Sequence, residues 1–304
     1  MIIDNLLAFD KVGHVREGDQ VNLLDLRQLY GPNIRGTNMY WGFEAPNLDL
    51  PAGQGLDGTK MQFIRDFTAG LGVGEIGTID LCLEPHGDHR SSESFAHVDA
   101  HLGKVRDLAS DLVSLQSEAA LEDKGLRFVI RFASEMNPEP NNAWSGFPDD
   151  FQRSWVNVWN AIKGVSHDLL MNFAPGIELE TRTDGNDFHA IKMYWPGDDL
   201  VDIVGCTWYA GSGHAINPAK ERLDEYFQFF SDKGLPYCVS ELGGTCDKAL
   251  KLRSTQVVQS MFRHLLNFDS DQHLSHATLF LVEDWAGVDV QVVQQETTDL
   301  SPCG

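Results

Sequence analysis

Residues 127–135 read RFVIRFASE, and this short run decides the fold class. It is apolar enough to be buried on both faces, a few residues long, and it ends in a carboxylate. Runs of the same kind recur along the chain: TNMYWG at 37–42, IGTIDLCLEP at 76–85, LLMNFAPG at 169–176, VDIVGCTWYAG at 201–211, PYCVSELGG at 236–244 and ATLFLVEDW at 277–285. Between them lie amphipathic stretches. Val98, His101, Leu102, Val105, Leu108, Leu112 and Leu115 form one stripe at helical spacing, and Phe151, Trp155, Val158, Ile162 and Val165 form another. Leu223, Tyr226, Phe227 and Phe230 make a third, and Val257, Val258, Met261, Phe262 and Leu265 a fourth. Such stripes bury one helix face, so Trp155 and Trp159 are read as core residues. Strands alternating with helices argue for a parallel sheet with helical crossovers.

Seven strands are counted this way, and an eighth is sought within residues 1–30, in DNLLAFD or VNLLDL. The fold expected is α/β, a single (β/α)8 TIM barrel spanning 1–304. Residues 1–30 would be an N-terminal extension or the first strand, and 290–304 a C-terminal tail. Barrels of this kind often exceed 250 residues as one unit, and this chain has 304.

The formal charge is −22, with 42% hydrophobic and 22% charged residues. A chain this acidic repels phosphate backbones and anionic lipid, which argues against nucleic-acid partners and for a neutral substrate. No stretch is long and apolar enough to span a bilayer. The start, MIIDNLLAFDKVGHVREGD, carries acidic residues too early for a signal peptide. The five cysteines include no CxxC pair, and Cys82, Cys206 and Cys238 lie in apolar runs, as small hydrophobes do. Gly72-Val-Gly-Glu-Ile-Gly77 fits GxGxxG but precedes a strand instead of following one, which is the wrong order for a dinucleotide site. Glu84-Pro-His86-Gly-Asp88-His89 is one short loop without a second ligand pair, so no metal and no cofactor are expected. No GxSxG elbow is present.

In barrels of this kind the chemistry sits at the carboxyl ends of the strands. Those ends carry Trp41, Glu135, Trp208, Tyr209, Glu241, Glu283 and Trp285: carboxylates for acid–base and nucleophilic work, aromatics for the apolar faces of sugar rings. Alternation places residues 131, 133 and 135 on one face, so Arg131 and Glu135 should point the same way. A mid-strand arginine needs a carboxylate partner. Two facing carboxylates suit glycosidic cleavage, ~5–5.5 Å apart in retaining enzymes and ~6.5–9.5 Å apart in inverting ones.

The ordered set of motifs resembles glycoside hydrolase family 26 over roughly residues 125–285. RFVIRFASEMN at 127–137 resembles the family's fourth-strand signature, and FPDDFQRSWVNVWNAIK the helix that follows. LLMNFAPG, MYWPGDDLVDIVGCTWYAG and LPYCVSELGG resemble its fifth strand, the run into its sixth, and its nucleophile segment. The resemblance implies a retaining mechanism with Glu135 as acid/base and Glu241 as nucleophile. It also implies Tyr209 orienting the nucleophile, Trp285 as a sugar platform and Trp144 lining the cleft. Arg131, Asn137, His86, Trp41, Trp208 and Glu283 complete the expected substrate-binding set.

One position departs from the pattern. Ser134 stands where the family carries a histidine. The implied activity is endo-hydrolysis of a β-linked polysaccharide, β-mannan first, with β-xylan, mixed-linkage β-glucan or a bacterial exopolysaccharide as further substrates. Such a substrate class favours an extracellular or cell-surface location. The Ser134 departure motivates an alternative: a catalytically impaired carbohydrate-binding barrel within a larger exopolysaccharide-handling protein.

Overall fold

The computed structural model describes residues 6–9, 34–85, 91–137, 142–177, 188–210, 216–244, 264–265 and 274–280. Six parallel strands curl into the body of the sheet: β2 (Ile34–Gly42), β3 (Ile76–Glu84), β4 (Gly125–Phe132), β5 (Leu170–Phe173), β6 (Ile203–Ala210) and β7 (Tyr237–Gly244). Two further strands, β1 (Leu6–Phe9) and β8 (Leu274–Phe280), pair with each other in parallel, β1 also with β2 and β8 also with β7. The strand sought near the N-terminus is therefore in DNLLAFD; VNLLDL lies outside the described residues. The helices are α1 (Ala45–Leu48), α2 (Gly58–Ala69), α3 (Glu93–Ala100), α4 (Leu102–Ala120), α5 (Pro148–Lys163), α6 (Phe188–Lys192) and α7 (Ile216–Phe229).

Strand alternation sorts the side chains into two populations. Met39, Trp41, Phe43, Ile79, Leu81, Leu83, Phe128, Ile130 and Phe132 join the large core that Ile64, Phe67, Leu108, Leu112, Phe151 and Trp155 supply from the helices. The alternate positions face the sheet's concave interior, where Val129, Ile203 and Cys238 form a separate small apolar cluster. Beside that cluster the interior is polar: Asn38, Asp80, Arg131, Asn172 and Ser240 are all buried. Gly205 leaves room for this layer, because a Cβ there would meet Asn172 Oδ1 at 2.3 Å and Cys238 Sγ at 2.7 Å.

The helices carry local signals that match their place. Asp57 caps α2 by accepting from the Lys60 amide at 2.8 Å, satisfying an otherwise orphaned donor. Helix α5 opens on Pro148 with Asp149 and Asp150 in its first turn and closes on Lys163, as the helix dipole favours. The stripe from Val98 to Leu115 is two helices, not one. His101 breaks it with φ −118° and ψ 25°, its ring bonded to the His97 carbonyl at 2.8 Å. The periodicity runs on across the break because both helices pack on the same outer face of the sheet. Val165 falls beyond the end of α5 and is 36% exposed. Of the fourth stripe only Leu265 lies within the described residues.

Candidate active site

At the carboxyl ends of the strands a buried ion network organises the mouth. Arg131, fully buried, donates from Nε to Asp80 Oδ1 at 2.6 Å and from Nη1 to Glu241 Oε1 at 2.7 Å. Tyr40 donates its phenolic hydrogen to the same Glu241 oxygen at 3.1 Å. Burial works against the arginine's charge, but Asp80 and Glu241 outweigh it and hold the guanidinium charged, well above its ordinary pKa. Burial first, then the Glu241 charge, push the Tyr40 phenol well above its ordinary pKa. It stays a hydrogen-bond donor.

Glu241 reaches the interior through a fault in the ladder. Cys206 pairs with Val239, but Thr207 pairs with Glu241, so Ser240 is the extra residue of a bulge. Ser240 accepts from Asn172 on the sheet's concave side at 2.8 Å, and Glu241 meets Arg131, while Leu242 returns to the outer core. Unbroken alternation from inward Ser240 would have turned Glu241 toward the helices. A bulge beside a site that re-aims a side chain is a recurrent device.

Glu135 arrives by a different route. Glu135 is not on the same strand as Arg131: β4 ends at Phe132, and Glu135 lies in the turn beyond it. Ala133 and Glu135 adopt φ of 49° and 56°, left-handed conformations that cost non-glycine residues roughly 1–3 kcal/mol each. The surroundings hold the turn at many points. The Ala133 amide donates to Leu83 O and the Glu135 amide to Ala174 O, each at 2.9 Å. Trp144 Nε1 donates to Ser134 O at 2.9 Å, and Ser145 Oγ to Glu135 O at 3.0 Å. Asn137 exchanges hydrogen bonds with the Gly176 backbone at 2.8 and 2.9 Å. The Glu135 carboxyl bonds Thr207 and Asn142, yet burial, followed by the Glu241 charge, still raises its pKa. Since Thr207 is also the register partner of Glu241, the two carboxylates share one neighbour across β6.

A third carboxylate was not singled out as a site residue from the sequence. Glu84 closes β3 on the same alternation as Asp80 and Cys82, and its pKa is raised to about 7, by burial first and then by Glu241. The signal was the parity 80, 82, 84 on one strand. Because the folded protein holds this proton to about pH 7 while the unfolded chain releases it near 4.5, stability falls as pH rises across that window. Glu84→Gln should therefore gain thermal stability over wild type progressively between those pH values, with little difference below. Melting curves across pH check this; a constant offset would remove the charge as the cause.

The remaining candidates divide. Trp41 and Trp208 point away from the mouth. Trp41 is fully buried, edge-on to Phe43, with Nε1 bonded to Gly55 O at 2.7 Å. Trp208 is 1% exposed and packs toward His264. Each sits one residue from an inward position, Tyr40 and Thr207 respectively, so being at a strand end did not make them sugar platforms. Trp144 and Asn137 brace the Glu135 turn with their polar atoms. His86, Glu283 and Trp285, and the side chain of Tyr209, lie outside the described residues. Among the described residues no group of His, Cys, Asp and Glu is arranged to hold a metal, and no helix is long and apolar enough to cross a membrane. Ser134 sits 7% exposed, its hydroxyl 3.2 Å from Cys82 Sγ.

A curled parallel sheet wrapped in helices, with polar side chains gathered at the carboxyl ends of its strands, is an architecture of the TIM-barrel kind. In fold the chain is similar to several solved glycoside hydrolase family 26 structures. The catalytic domain of the Bacillus sp. JAMB-750 endo-β-1,4-mannanase matches with a TM-score of 0.65 and 13% identity over 98% of this chain and 86% of that one. A modular Cellulomonas fimi endo-β-1,4-mannanase matches with 0.67 and 13% over 97% and 71%. A β-mannanase from a symbiotic protist of the termite Reticulitermes speratus, complexed with gluco-manno-oligosaccharide, matches with 0.59 and 14% over 97% and 87%. At these identities the likeness establishes the fold. No family model matches the sequence, and no curated protein matches it.

Proposed function

We propose that the chain is a complete (β/α)8 barrel forming one catalytic domain over 1–304, and that it hydrolyses internal bonds of a β-linked polysaccharide with retention. The observation that carries this reading is the contrast between its two buried glutamates. Glu241 is gripped by Arg131 and Tyr40, which orients a carboxylate for attack. Glu135 is pushed toward its protonated form by burial and by the neighbouring charge, which suits a general acid. Carboxyl pairs whose environments differ in this way divide acid and nucleophile roles between them.

Glu135 gives its proton to the leaving glycosidic oxygen while Glu241 bonds the anomeric carbon. The glycosyl–enzyme is then hydrolysed by a water that Glu135, now the base, deprotonates. Tyr209 and Trp285 would serve as hydrogen-bond partner and sugar platform, and His86 and Glu283 as further substrate contacts. β-Mannan is the first substrate on the strength of the neighbours' described activities, with β-xylan, mixed-linkage β-glucan and bacterial exopolysaccharides behind it. Ser134 favours a second reading: without a histidine beside Glu135, the barrel binds carbohydrate and does not cut it.

Incubation with a panel of these four polysaccharides separates the readings. New reducing ends that are lost in both Glu135→Ala and Glu241→Ala support the hydrolase, and NMR of the first product should show the parent anomeric configuration. Binding without any cleavage supports the second reading. For the hydrolase, kcat/KM should fall on the alkaline side as Glu135 loses its proton.

A further inference from the structure

The polar layer inside the barrel holds atoms that the described protein does not satisfy. Asn38 is 1% exposed, and neither its Oδ1 nor its Nδ2 has a hydrogen-bond partner. Arg131 Nη2 and Asn172 Oδ1, on residues with no exposure, have none either. Native interiors rarely leave such groups unmade, because the desolvation cost is then not recovered. Bulky branched aliphatics usually fill this level of a barrel; here amides and a guanidinium do.

Register and hydrogen bonds place the residues that carry these atoms around one feature, the Arg131–Glu241 pair. A guanidinium presents its N–H groups in a fixed fork, Nε and Nη2 sharing one edge. Since Nε bonds Asp80, the Nη2 edge also faces β3. Asn38 is the register partner of Asp80 across β2 and β3, on that same side. Asn172 enters from β5, with its Nδ2 on Ser240, the residue before Glu241. The unmet groups comprise two donors, Asn38 Nδ2 and Arg131 Nη2, and two acceptors, Asn38 Oδ1 and Asn172 Oδ1. A cation would satisfy the acceptors alone, and an anion the donors alone. A molecule that both gives and takes hydrogen bonds satisfies both.

We propose that the barrel interior beneath the Arg131–Glu241 pair is a water-binding chamber, with ordered water on Asn38 and on Arg131 Nη2, and that this water helps hold the guanidinium that grips Glu241. Buried waters typically make about three hydrogen bonds to groups otherwise unsatisfied, which is the demand Asn38 and Arg131 create. Asn38 is then a positioning residue acting through Arg131, and the last clause of the proposal rests on Glu241 being the nucleophile.

Asn38→Leu tests the chamber by the sign of its effect. If Asn38 is hydrated, leucine expels the water and leaves Arg131 Nη2 unpaired, and Tm drops by roughly 3–6 °C. If the amide is dry, removing an unsatisfied polar group raises Tm, and the proposal is overturned. A crystal structure of the wild-type protein gives an answer that does not depend on how the variant folds. Density for water within hydrogen-bonding distance of Asn38 and Arg131 Nη2 supports the chamber. Direct protein partners for these atoms, or an anomalous bromide peak after a halide soak, overturn it. Both measurements hold whether or not the protein cleaves polysaccharide. In the variant, kcat is expected to fall with KM nearly unchanged; an unchanged kcat sinks the link to Glu241 alone.

Discussion

Glu241→Gln is expected to lose polysaccharide cleavage by on the order of 10⁶-fold in kcat, the scale seen when an enzyme loses a nucleophile. The amide cannot form the glycosyl–enzyme, yet it occupies the same volume. Its oxygen can still accept from Arg131 and Tyr40, which both reach Glu241 Oε1 in the wild type. Folding should therefore survive, and binding of the polysaccharide with it. Initial rates of reducing-end release, with binding measured in parallel by calorimetry, check both halves. A variant that retains more than a few per cent of the rate excludes Glu241 as nucleophile.

Arg131→Met is expected to cost about 3–5 kcal/mol of stability, because it leaves buried carboxylates without their countercharge. Asp80 is fully buried and Glu241 8% exposed, so neither can turn to water for relief. Denaturant midpoints of the two proteins measure this, and a variant as stable as wild type would remove the buried ion network as a source of stability. The same variant should also be inactive, since Arg131 orients Glu241.

Much of the strand framework was legible. Short runs separated by helical stripes located the six strands of the sheet's body to within a few residues. Arg131 announced a buried partner because a lone charge in mid-strand is untenable. Side-chain direction at the strand ends was harder to read. Trp41 and Trp208 looked like sugar platforms, yet Tyr40 and Thr207, one residue before each, face the carboxylates. A period of two turns a one-residue uncertainty in phase into the opposite face. Glu84 was passed over because it begins a polar loop, and its burial among other charges depends on strands far away in sequence.

The chain's own pattern determined that strands and helices alternate, that the strand ends carry acids and aromatics, and that Arg131 requires a counterion. These follow from local periodicity and from the cost of burying a charge, which residue types alone reveal. Only the tertiary structure decided which carboxylates meet. The bulge at Ser240 turns Glu241 inward, and the left-handed residues Ala133 and Glu135 carry the second glutamate past the end of β4. Neither irregularity has a compositional mark, since no glycine stands at any of these positions. Each conformation is unfavourable alone and is held by hydrogen bonds from other strands and loops, so it exists only once the sheet has assembled.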